Sequence, residues 1–179
     1  DYAAFMSLRT YFNSTLQYWN TEAKSKKKDV SSFVKNEETE FWKFLQYLCH
    51  WQWMRLKKYA NDQGIRIFGD MPIYVSGDSA DVWANPEVFD VDAHLQPRHV
   101  AGCPPDDFAA DGQRWGMPVY NWDYLKKTDF DWWMQRIKRN LLLYDCIRID
   151  HFRGLESYYS IPANEPTARN GFWVKAYGR

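Results

Sequence analysis

The sequence predicts an α/β fold in which two short strands lie side by side and parallel. Two observations carry this. Helical and extended segments alternate in the order helix, strand, long excursion, helix, strand. Each of the two extended runs, IRIFGD (65–70) and CIRID (146–150), follows a helical segment and ends in an acid. With 179 residues the chain is long enough to bury one ordinary core.

The first segment, YAAFMSLRTYF (2–12), reads as an amphipathic helix with Phe5, Leu8 and Phe12 on one stripe. A charged stretch from Asn20 to Asn36, holding Lys26, Lys27 and Lys28, reads as a solvated connection. From Glu37 to Gln63 the pattern is again helical, with Phe41, Phe44, Leu45, Leu48, Trp51 and Leu56 on a broad apolar face. Gly64 stands where a C-terminal cap belongs. The first strand follows, with Arg66, Phe68 and Asp70 on one face.

Residues 71–128 are rich in Pro, Gly, Asp and aromatics, without the low-complexity bias of a linker. An excursion of that length inside a compact domain is expected to be ordered and functional. A helix starting near Asp129 or Asp131 comes next, with the stripe Trp133, Ile137, Leu141 and Tyr144, and then the second strand.

Composition excludes several functions. Lys+Arg and Asp+Glu both total 23, so the chain has no net charge with which to attract nucleic acid or an anionic membrane. No apolar run approaches a membrane span. Cys49, Cys103 and Cys146 are far apart and predict reduced, packed thiols rather than disulfides or zinc ligands. His50, His94, His99 and His151 have no metal-ligand spacing, and no phosphate or dinucleotide loop is present, so neither a metal nor a cofactor is expected. The aromatic fraction of 18% suits sugar rings, although most of these side chains are expected in the core. The N-terminus lacks both Met and the layout of a signal peptide, which suggests a natural start further upstream.

In the second strand Arg148 and Asp150 point to one side, and Ile147 and Ile149 to the other, into an apolar layer. A guanidinium two residues away favours the ionised carboxylate that a nucleophile needs. The same pair reads equally well as a structural ion pair at a strand end. Asp70 closes the first strand and either orients the site or joins its chemistry. Two acids at neighbouring strand ends are the usual equipment of glycoside chemistry.

The stretches GDMPIYVSGDSADVWANP (69–86), AGCPPDDFAADGQRWGMPVY (101–120) and RIDHFRG (148–154) occur in this order. Together they closely resemble signatures of the 4-α-glucanotransferase (amylomaltase, disproportionating enzyme) family of the α-amylase superfamily. YYSIPANEPTA (158–168) also looks familial, and the similarity extends over nearly the whole chain.

The resemblance implies part of a (β/α)8 barrel, approximately strands three and four with their helices, with residues 71–128 forming a lid over the substrate cleft. It implies transfer of α-1,4-glucan segments between maltooligosaccharides by a retaining double displacement, without a cofactor, in the cytoplasm or, in a plant, the plastid. A non-catalytic glucan-binding module and a hydrolase of the same superfamily are the alternatives.

By resemblance Asp150 is the nucleophile, with Arg148 and His151 as its partners, and Asp70 supports the site. Asp106 and Phe108, in PPDDF (104–108), belong to the mobile loop over the donor glucan, and Gln113 and Trp115 line the cleft near the acceptor. Trp115 is also expected to touch sugar because an indole among Gly, Gln and Arg is poorly placed for a core. Asp107 stands where the family usually has Tyr, and Met117 where it has Asn, which bears on specificity rather than chemistry. The family's general acid/base Glu lies beyond the matching stretch, and Glu156 and Glu165 do not fit its motif. The chain is therefore expected to be an internal piece of a longer enzyme. Alone it should be inactive and leave strand edges and apolar helix faces bare.

Overall fold

The computed structural model describes residues 1–25 and 30–178. Helix α1 (Tyr2–Phe12) buries Ala3, Phe5, Ser7 and Leu8, and stops at Asn13, whose φ of 45° is one that Asn tolerates. The buried Ser7 hydroxyl is satisfied by the carbonyl of Ala3 at 2.9 Å and by Thr39 Oγ1 at 3.1 Å. Helix α2 (Asn36–Asp62) carries Glu37 and Glu38 in its first turn, where the helix dipole favours them. It ends in a double cap: Ile65 N–H donates to Ala60 and Gly64 N–H to Asn61, which requires the left-handed φ of 76° at Gly64.

Strand β1 (Phe68–Met71) begins three residues later than IRIFGD suggests, so Arg66 precedes it. The strand pairs in parallel with β4 (Cys146–Ile149), and Asp70 stands opposite Arg148. The register is fixed just ahead of both strands. Asp145 Oδ2 accepts from Ile67 N–H at 2.8 Å, and Asp145 N–H donates to the Ile67 carbonyl at 2.9 Å. Equal steps onward from Ile67 and Asp145 reach Asp70 and Arg148. Gly69 leaves room for the Tyr144 ring, which occupies the space a Cβ would need.

The excursion is ordered. It holds α3 (Ala80–Ala84), capped by the Ser79 hydroxyl, then β2 (His99–Cys103), β3 (Gln113–Pro118) and α4 (Trp122–Lys127). After α5 (Asp131–Leu143) and β4, a 3-10 turn at Phe152–Leu155 leads into β5 (Ser157–Pro162) and β6 (Phe172–Lys175). Strands β3-β2-β5-β6 form an antiparallel sheet. Alternation of helix and strand did not foretell this second sheet. It matters because β5 follows the acid-tipped β4 after one turn, which seats the excursion's hairpin over the end of β4.

The main core lies where α1, the excursion and α5 meet. Tyr120 is its centre, with Tyr74, Phe89, Trp122 and Trp133 ring centroids 5.2–5.8 Å away. Its buried hydroxyl donates to the Ile73 carbonyl. Arg136 reaches over the same spot, donating to the carbonyls of Ile73 and Pro72 while its guanidinium lies over Trp132 and Trp133.

Several expectations need correction. The connection after Asn20 is not simply solvated: Ala23 is fully buried and its carbonyl accepts from the Trp83 indole at 2.8 Å, while Val30, Phe33 and Val34 pack on the core. Lys26, Lys27 and Lys28 lie outside the described residues. Cys49 is exposed rather than packed. Leu141 is also exposed, because the α5 stripe meets the core only around Trp133 and Ile137. The apolar face of α2 is largely bare, with Phe41, Phe44, Trp51 and Leu56 exposed.

Candidate active site

The chemistry-bearing residues gather at the C-terminal ends of β1 and β4. Alternation along β1 puts Phe68 and Asp70 on the exposed face and turns Gly69 and Met71 inward. On β4 Arg148 faces out and Ile149 packs against the core. The ladder runs one step past the strand, with Asp150 N–H donating to the Met71 carbonyl at 3.1 Å, so Asp150 is held beside the end of β1.

One guanidinium joins both acids. Arg148 grips Asp70 with two hydrogen bonds, Nε to Oδ1 at 3.1 Å and Nη2 to Oδ2 at 2.6 Å. The same Nη2 lies 3.5 Å from Asp150 Oδ1, an ion-pair separation. The sequence suggested Arg148–Asp150 as the tight pair; the tight pair is Arg148–Asp70, because parallel pairing puts Asp70 directly across while Asp150 lies one residue beyond the strand. These two bonds and the two carboxylates hold the Arg148 guanidinium above its usual pKa.

His151 follows in a left-handed conformation, φ 52°. Its ring stands perpendicular to the Trp115 indole, centroids 4.9 Å apart. Its Nε2 is buried without a hydrogen-bond partner in the structure. Burial lowers the imidazole pKa; Asp150 opposes this and Arg153 adds to it. The neutral ring is favoured.

Trp115 is half-buried. It packs on the core and lies 6.2 Å from the Tyr74 ring, contrary to the expectation that it would be poorly placed for packing. Its indole N–H donates to Gln113 Oε1 at 3.0 Å. Thus the structure brings Asp70, Arg148, Asp150, His151, Trp115 and Gln113 into one connected group. Asp106 and Phe108 stand apart from its hydrogen bonds and ion pairs. Asp106 Oδ1 accepts from the backbone N–H groups of Phe108 and Ala109, shaping the turn between β2 and β3 and leaving Phe108 99% exposed. Asp107 is exposed and Met117 packs on the core.

Tyr74 was missed by sequence reasoning. Its hydroxyl lies 3.4 Å from where a Cβ on Gly154 would be, against the turn that carries His151, and burial holds its pKa above the usual phenol value. Its place in GDMPIYV, four residues after Asp70, was the available signal.

Two half-open clefts lie elsewhere. One of about 760 Å³ is lined by Trp83, Asn85 and Leu95, and one of about 330 Å³ by Asp90, Trp122 and Tyr177. Neither contains Asp70, Arg148 or Asp150, which lie on an open sheet face. No described helix is long and apolar enough to cross a membrane.

A family model described as 4-alpha-glucanotransferase matches residues 1–179. The chain belongs to the 4-alpha-glucanotransferase family. It is 49% identical over 180 residues to the 4-alpha-glucanotransferase of Clostridium butyricum, covering 98% of this chain and 37% of that protein. It is 45% identical over 182 residues to the enzyme of the same name from Aquifex aeolicus, covering 100% of this chain and 38% of that one. Amylomaltase from Streptococcus agalactiae in complex with acarbose superposes with a TM-score of 0.93 at 44% identity, over 98% of this chain and 37% of that structure. The chain therefore spans a little over a third of the length of these 4-alpha-glucanotransferases, and its α/β architecture is that of the corresponding part of an amylomaltase.

Proposed function

We propose that this chain supplies the nucleophile half of a retaining site that transfers α-1,4-glucan segments, within a (β/α)8 barrel of which it forms approximately strands three and four. The observation that carries this reading is the Asp70–Arg148–Asp150 bridge at the C-terminal ends of two adjacent parallel strands, where barrel enzymes keep their chemistry.

In this reading the Asp150 carboxylate attacks the anomeric carbon of the donor glucan. The C1–O bond to the departing segment breaks, and that oxygen takes a proton from a general acid. The 4-hydroxyl of an acceptor glucan then attacks C1, gives its proton to the same group, and releases Asp150. Two inversions give retention. The acid/base is a Glu from outside these residues: Glu165 is engaged by Asn170 at 2.8 Å and belongs to a turn after β5. Arg148 sets its positive charge 3.5 Å from Asp150, and Asp70 holds Arg148. His151 borders the sugar beside the scissile bond, with Gln113 and Trp115 on the acceptor side. The loop carrying Asp106 and Phe108 covers the donor, with Phe108 as its projecting aromatic. The acarbose complex of the Streptococcus agalactiae protein supports an oligosaccharide ligand for this architecture. The setting in this reading is the cytoplasm or, in a plant, the plastid, the latter in keeping with the relative from Solanum tuberosum described as chloroplastic/amyloplastic.

The test is Asp150→Asn in the complete polypeptide. Redistribution of maltotriose into longer and shorter chains should vanish while the fold, followed by circular dichroism, persists. Near-parental redistribution would remove Asp150 from the role. Release of reducing ends without redistribution by the parent would make it a hydrolase.

A further inference from the structure

The turn that carries Asp150 poses a packing problem. His151 occupies left-handed backbone space, which a residue with a Cβ enters only when its surroundings hold it there. Its carbonyl is fixed by Gly154 N–H at 2.8 Å, and the preceding Asp150 N–H is fixed by Met71. The imidazole has no such anchor at Nε2, which is buried and without a hydrogen-bond partner in the structure. What confines that ring is an aromatic wall, the Trp115 indole, perpendicular to it at 4.9 Å.

The indole in turn is fixed on two sides. Its N–H is committed to Gln113 Oε1 at 3.0 Å, and it leans on the Tyr74 ring, tilted by 51°. The far side of the turn is equally full: a Cβ on Gly154 would come within 2.6 Å of Ile73 Cδ1 and 3.4 Å of His151 Cδ2. The turn is thus wedged between β3 of the second sheet and the segment after β1.

We propose that Trp115 is a positioning residue for the nucleophile: pinned by Gln113, its indole walls in His151 and thereby fixes the strand-end turn that presents Asp150. This rests on Asp150 being the nucleophile and differs from a role as a sugar platform, because the wall acts before any acceptor arrives.

The deciding step is formation of the glycosyl-enzyme without an acceptor. With α-maltotriosyl fluoride as donor, the C1–F bond breaks, the bond from C1 to the Asp150 carboxylate forms, and fluoride leaves as the anion. Burst release of fluoride at saturating donor therefore reads the presentation of Asp150 alone. In the complete polypeptide, Trp115→Ala should slow the burst by roughly 10- to 100-fold, the scale of a small misplacement of a reacting group, and Trp115→Phe should restore most of it. Trp115→Ala should also shift the ring ¹⁵N resonances of His151, assigned by comparison with His151→Gln.

A burst at the parental rate in Trp115→Ala, with only acceptor KM raised, would overturn the proposal and leave Trp115 as a platform. Should Trp115→Ala not fold, Gln113→Leu decides: a burst slowed by more than roughly threefold supports the wedge, and a parental burst overturns it. Asp150→Asn separates the two readings. If it still gives a burst, the nucleophile assignment fails; if it is silent while Trp115→Ala is parental, only the positioning role fails.

Discussion

Arg148 commits two of its nitrogens to Asp70, at 3.1 and 2.6 Å, and faces Asp150 only at 3.5 Å. The guanidinium is therefore oriented by one carboxylate and lends its charge to the other. All three side chains are more than half exposed, so the pair contributes little to stability and its value lies in geometry.

Because Asp70 and Arg148 make one contact, their effects on the proposed reaction should not add. Lys in place of Arg148 offers a point charge instead of a fork, and kcat should fall roughly 10- to 100-fold. Asp70→Asn should fall by a similar factor, and the double variant should be no worse than the poorer single one. Steady-state rates with maltotriose measure this cycle, and independent, multiplying losses would contradict it.

Gly69 is required by its neighbour. A Cβ there would overlap the Tyr144 ring, so Gly69→Ala should destabilise the complete polypeptide by about 1–3 kcal/mol, the usual penalty for overpacking. In a Tyr144→Ala background the same change should cost clearly less. Urea unfolding of the four proteins measures both numbers, and equal penalties in the two backgrounds would show that the ring is not the obstacle.

Asp145 gives the fold an acid-sensitive clamp. Hydrogen bonds from the Ile67 backbone and the Asn61 amide, with the charge of Lys57, hold its carboxyl below the usual pKa. A depressed folded-state pKa means stabilisation that is present above the unfolded value of about 4 and lost as pH falls through the folded value. Asp145→Asn should therefore lower the urea midpoint at pH 7 and pH 5, and the gap from the parent should close below about pH 4. A gap independent of pH would point to a cause other than the carboxylate's charge.

The 179 residues alone should self-associate and show no transfer activity. Phe41, Phe44, Tyr47, Trp51 and Leu56 on α2 are exposed, and Phe68 on β1 is 68% exposed beside a bare strand edge. Light scattering and an apolar dye would register this, and a clean monomer that binds no dye would refute it.

Local sequence carried the three long helices and the two strands that lead to Asp70 and Asp150, though not the short α3 and α4, because periodicity, caps such as Gly64 and strand alternation act over a few residues. It also carried the family, through the stretches around Asp70, Trp115 and Asp150. Only the tertiary structure decided which acid Arg148 would grip, because pairing across 78 residues depends on the register that Ile67 and Asp145 set. Tertiary packing likewise brought Trp115 against His151 and built the antiparallel sheet from segments separated by the whole of α5 and β4. It left the apolar face of α2 uncovered. A helix's sequence states which face is apolar; whether that face is buried depends on what packs against it.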